Sequence, residues 1–118
     1  MDSILTSVKK MLGIDPSYEY FDPDIIMHTN SVFLILNQIG VGPKTPFMIT
    51  GSDETWNDFF LDDTPNELVK SYIYLKVRLI FDPPTTGVLH EAMERQIQEF
   101  EWRLNVQAEG GVSVGDSG

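Results

Sequence analysis

The sequence contains no cysteine, which excludes a disulfide framework and any thiolate metal site. That absence suits a chain that folds in a reducing compartment. Basic residues are scarce as well: eight Lys and Arg stand against eighteen Asp and Glu, for a formal net charge of −10. Nonspecific duplex binding depends on Lys and Arg displacing phosphate counterions. A DNA-binding surface is therefore disfavoured, although an acidic wall suits DNA that slides past without being held. No apolar run approaches the ~18 residues of a membrane span. The opening Met1-Asp2-Ser3-Ile4-Leu5 lacks the basic region and long apolar core of a signal peptide. Together these absences predict a soluble protein that is intracellular when made.

What remains is one domain's worth of chain, 118 residues of which 42% are hydrophobic, enough for a single core. It reads as helices with clear punctuation. Ile4, Leu5, Val8, Met11 and Leu12 recur at helical spacing and Gly13 follows where a C-terminal cap belongs. Asp22-Pro23 opens a second helix, with Asp22 as its cap and proline at the first position. Its apolar residues Ile25, Ile26, Val32, Phe33, Leu36 and Ile39 form a broad stripe that ends at Gly40. The stretch Val41 to Asp53, broken by Gly42, Pro43, Pro46 and Gly51, is expected to be a loop or small hairpin. Thr55-Trp56-Asn57-Asp58 has the pattern of a capping box ahead of a short helix.

Thr64-Pro65-Asn66-Glu67 is a strong helix start, and Leu68 to Phe81 is apolar nearly all round. A helix of that kind is central, or is covered in part by a neighbouring subunit. Asp82-Pro83-Pro84 ends it. A last helix is expected from about Gly87 to Val106, with Leu89, Met93, Ile97, Phe100 and Leu104 as a narrow apolar stripe. Gln107 to Gly118, with four glycines and two serines, holds too little apolar surface to offset the entropy of ordering and is predicted to be a flexible tail. The expected architecture is all-α: four to five helices around a central apolar one, with 1–106 as the domain.

A search for chemistry finds no constellation. His28 sits at the edge of a helical core face and reads as a partly buried histidine with a hydrogen-bond partner. His90 and Glu94 are one turn apart, with Glu91 adjacent, but no second histidine joins them and a charged helix face explains all three. The acids Asp22, Asp24, Asp53, Glu54, Asp62 and Asp63 cluster at helix starts, where the helix dipole favours them. Asp58, Asp62 and Asp63 have no feature that marks them as a metal site. Gly40-Val41-Gly42-Pro43 follows a helix instead of preceding one, which is the wrong context for a phosphate loop. No catalytic residue, metal site or cofactor is expected. Two tryptophans and two buried-looking cations remain. Trp102 falls outside the apolar stripe of the last helix, as a satellite packing residue or an interface anchor. Lys76 and Arg78 interrupt the apolar helix, and either snorkel to the surface or pair with acids of an adjacent subunit. With Trp56 they are the candidates for a subunit interface.

Two segments carry a resemblance. Tyr72-Ile73-Tyr74-Leu75-Lys76-Val77-Arg78-Leu79-Ile80-Phe81-Asp82-Pro83-Pro84 and Phe100-Glu101-Trp102-Arg103-Leu104-Asn105-Val106-Gln107 resemble small head-tail connector proteins of siphophages and prophages of Gram-positive bacteria. The openings Met1 to Leu5 and Asp24 to His28 agree in character, and the likeness covers roughly residues 1–108. It implies a helical subunit of a closed ring, expected to hold about twelve copies. The ring would dock on the portal protein, pass DNA through its channel without specific binding, and receive a further connector or tail component on its other side. The C-terminal arm of such proteins commonly reaches the portal, yet the tail here is Gly- and Ser-rich. The implied portal contact therefore falls on Trp102, Arg103, Asn105 and Val106, just before it. Two rivals compete with this reading: an acidic phage regulator or inhibitor that binds a host protein by charge, and a small metal-dependent nuclease. The first predicts a stable monomer whose partner binding weakens steeply with salt. The second predicts stabilisation by metal.

Overall fold

The computed structural model describes residues 3–60 and 66–117. Five helices make up the fold among them: α1 (Ile4–Met11), α2 (Asp22–Ile39), α3 (Trp56–Phe59), α4 (Asn66–Phe81) and α5 (Gly87–Ser117). The only β pairing among the described residues is an isolated antiparallel bridge between Ser3 and Thr55. The all-α expectation holds, and Val41 to Asp53 is a loop without strand.

The punctuation acts largely as read. Ser3 caps α1 by accepting a hydrogen bond from the Thr6 amide. Gly13, at φ 80°, makes the turn after α1, and Gly40, at φ 100°, supplies the left-handed end of α2. Asp58 accepts from the Thr55 amide at 2.8 Å, the reciprocal half of the expected capping box. Thr64 and Pro65 lie outside the described residues, as do Asp62 and Asp63, so the start of α4 is seen only from Asn66. Two readings are corrected. Phe21, not Asp22, occupies the cap position of α2 and contributes no side-chain cap. The Asp22 carboxylate instead lies 2.8 Å from Lys9 Nζ on α1, as a charge contact and not an aligned hydrogen bond. The last helix also runs on to Ser117 instead of ending at Val106. No proline interrupts that stretch, and each glycine in it weakens a helix by only about 1 kcal/mol without forbidding it.

α4 lies between α2 and α5, with α1 packed on α2. Val69, Tyr72, Ile73 and Val77 of α4 meet Ile25, Val32, Phe33 and Leu36 of α2, and Ile97 and Leu104 of α5, in one buried cluster. α4 is thus the central helix, although Ile80 near its end remains 53% exposed. The 41–53 loop closes the core over the second half of α2. Asn30 holds it in both directions, accepting from the Ile49 amide at 2.7 Å and donating to the Ile49 carbonyl at 2.9 Å. That pair of bonds carries Ile49 into the core at 1% exposure. Phe33, Phe47 and Phe59 pack edge-on and tilted beside it, with ring centroids 4.9–5.4 Å apart. Gly42 is required there. Its φ is +91°, and a Cβ at that position would sit 2.6 Å from the Phe59 ring.

Candidate interaction surface

The seam between α4 and α5 gathers three of the polar groups embedded in the apolar helices. The Tyr72 hydroxyl donates to Glu101 at 2.7 Å, and Lys76 Nζ lies 3.9 Å from the same carboxylate. Burial, then the hydrogen bond to Glu101 and its negative charge, push the Tyr72 phenol far above its ordinary range. Arg78 donates to the Tyr74 hydroxyl at 2.8 Å. Lys76 and Arg78 are thus held within the chain, along the flank of the central helix, both partly exposed. Trp56 behaves differently. It is 5% exposed, its indole N–H donates to Ser7 at 3.0 Å, its ring stacks on Phe60, and Lys70 lies over it. It locks α3 to α1 and offers almost no surface to a neighbour.

Trp102 stands opposite. With Met93, Ile97 and Leu104 buried against the bundle, the helical period places Trp102 and Val106 on the outer side of α5, one turn apart. Trp102 is 66% exposed and Val106 42%. Among the described residues no satellite cluster covers the indole. Arg103 pairs with Glu99 one turn back at 2.9 Å, both solvated, so this ion pair contributes at most a few tenths of a kcal/mol to the helix. Asn105 is exposed beside them. The four residues that the resemblance assigns to a partner are therefore all exposed midway along α5, around an aromatic that the core does not use.

Among the described residues, which leave out Asp62 and Asp63, the catalytic candidates do not converge. His90 and Glu94 pair with each other at 3.1 Å on the exposed face of α5, far along the chain from Asp58. Among the described residues no three His, Cys, Asp or Glu side chains are grouped to hold a metal ion. His28 is half-buried, and no hydrogen bond is formed by its ring among the described residues. No helix among the described residues is long and apolar enough to cross a membrane.

One surface escaped the sequence reading. Met27 and Leu34 project from α2 on the side away from Ile25, Thr29, Val32 and Leu36, at 57% and 48% exposure, and Met48 joins them from the loop at 61%. The apolar stripe of α2 was drawn through its core residues alone, which hid a second apolar face. A signal was present in the sequence: between Asp24 and Asp53 the sole charged side chain is Lys44.

The comparisons with known proteins agree with this picture of a helical subunit whose features are surfaces. No match was found among curated proteins or among solved structures. The family model described as phage connector protein matches residues 4–111, nearly the whole chain, including both segments that carried the resemblance. The chain belongs to the phage connector protein family, and is a structural connector component of a bacteriophage.

Proposed function

We propose that the protein is a head-to-tail adaptor that assembles as a ring beneath the portal, in the virion and at its head–tail junction. About twelve copies would form the closed ring, the number that the family resemblance implies. Trp102, Arg103, Asn105 and Val106 make the portal contact, and the opposite rim receives the next connector or tail protein. DNA passes through the channel. A subunit with a formal charge of −10 gives that channel an acidic lining on which phosphates are not retained.

The observation that carries the portal assignment is the exposure of Trp102, 66% open on the outer face of a helix whose other side is buried. Tryptophan is the residue most enriched at binding hot spots, because a large rigid surface is desolvated at little conformational cost. The test is a pull-down of purified portal with the wild type and with Trp102→Ala combined with Arg103→Glu. Both side chains are largely solvent-exposed, so the variant should keep its helical spectrum and melting temperature. Portal binding should fall by at least about thirtyfold, the loss expected for a hot-spot aromatic. Unchanged binding by a folded variant refutes the assignment.

A further inference from the structure

We propose that the groove formed by the outer face of α2 and the 46–48 loop is the contact with the next copy of this chain, and that it receives the α4–α5 tip of that copy. The proposal rests on the ring reading above and says which two faces close the ring. The groove has a volume of about 310 Å³ and is lined by Met27, Ser31, Leu34, Pro46, Phe47 and Met48. None of these side chains is charged, and the surrounding stretch between Asp24 and Asp53 carries only Lys44. In a chain with a formal charge of −10, the lining of this groove is thus free of acids. Depletion of charge together with enrichment in methionine and aromatics is the compositional mark of an interface centre. The thioethers of Met27 and Met48 can adapt to an irregular partner surface.

The same charge pattern selects the occupant. Two copies at −10 each repel wherever their acidic faces approach, so identical subunits meet at least cost where neither presents a carboxylate. A basic partner would be drawn to the acidic faces instead. Groove against groove would give a two-fold dimer that cannot grow into a ring, so a ring needs two different faces on each copy. The second surface low in charge is the α4–α5 tip, with Lys76 and Glu94 only on the flank beside Ile80. Between Asp82 and Glu91 the chain has no charged residue. Val88 is 81% exposed, Ile80 53% and Leu89 48%, apolar side chains left largely uncovered among the described residues. Thr86 fixes the tip's geometry, accepting from the Leu89 amide at 3.4 Å and, through its carbonyl, from the His90 amide at 3.1 Å. An exposed apolar tip and an uncharged groove, on different elements of one subunit, are the two halves of a head-to-tail contact.

Because the chain has no cysteine, introduced thiols report contacts without background. Leu34→Cys and Val88→Cys are made singly and together in the full chain and treated with a short bis-maleimide, at high concentration and on purified portal. The double variant should give a ladder of cross-linked oligomers on denaturing gels. A mixture of the two single variants should stop at dimers, and neither single variant alone should cross-link. A second arm uses Leu34→Asp, which should melt like the wild type, because Leu34 is half-exposed, while raising the concentration needed for assembly by at least about tenfold. Cross-linking of Leu34→Cys to itself overturns the head-to-tail contact. So does absence of the ladder from variants that still bind portal, an outcome that leaves the connector reading standing. Failure of the wild type itself to bind portal or assemble overturns both.

Discussion

Replacing Lys9 by methionine should destabilise the fold by about 2 kcal/mol, although the two side chains have nearly the same length. Lys9 is 2% exposed, and its ammonium serves two partners: it donates to the Pro16 carbonyl at 2.8 Å and faces Asp22 Oδ1 at 2.8 Å. Methionine keeps the packing of the stem against the bundle and removes both polar interactions. A hydrogen bond from a charged donor contributes roughly 1.5–3 kcal/mol. Leaving one member of a buried pair uncompensated costs about 3–5 kcal/mol when both are dry. Asp22 is 19% exposed, so water recovers part of that penalty, and the helix dipole at the start of α2 still favours its charge. The lower part of the range therefore applies. Urea unfolding followed by tryptophan fluorescence reads the change, since Trp56 is buried and reports the core while Trp102 is already solvated. With a slope of about 2 kcal/mol per molar urea for a domain of this size, the midpoint should fall by about 1 M. Adding Asp22→Asn to Lys9→Met removes the orphaned charge and should restore roughly half of the loss. A shift of less than about 0.25 M for Lys9→Met, or a double variant weaker than the single, would refute the idea that this pair clamps α1 to α2.

Three further outcomes are expected. Gly42→Ala forces a positive φ on an L side chain and drives its Cβ to 2.6 Å from Phe59, so unfolding should show a loss of about 2–4 kcal/mol, strain and overpacking together. The raised phenol of Tyr72 keeps its proton in the folded state while an unfolded tyrosine releases it near pH 10, so its contribution to stability is complete below about pH 10 and falls as pH rises beyond it. Thermal melts from pH 8 to 11 should therefore decline less steeply for Tyr72→Phe than for the wild type. The Gly- and Ser-rich last turns of α5, from Gln107 onward, are expected to fray, exchanging their amides quickly in the isolated protein and slowly on portal, and strong protection across Gly110–Gly118 in the free monomer would refute that marginal stability.

Much of this molecule was legible in the chain because its helix ends are written in residues with no alternative. Gly13 and Gly40 take the positive φ values that stop α1 and α2, and Pro83-Pro84 cannot continue α4. Composition alone kept cysteine chemistry out, and the two segments of resemblance led to the family that the match over residues 4–111 establishes. Local pattern decides such features, and local pattern is what a sequence displays.

What only the tertiary structure decided is which of several equivalent side chains are spent inside the fold. Trp56 and Trp102 are the same residue type, each in an amphipathic context, yet docking α3 on α1 gives the first a hydrogen bond to Ser7 and leaves the second 66% exposed. Asp22 has the sequence signature of a cap, but the approach of α1 brings Lys9 against it and that role is lost. Lys76 finds Glu101 across the α4–α5 seam, a partner that its own helix does not supply. The outward face of Met27 and Leu34 became distinguishable from the core face of α2 only once α4 and the 41–53 loop had chosen a side. Burial and pairing depend on how elements meet in three dimensions, and helical periodicity by itself does not say which side of a helix its neighbours will occupy.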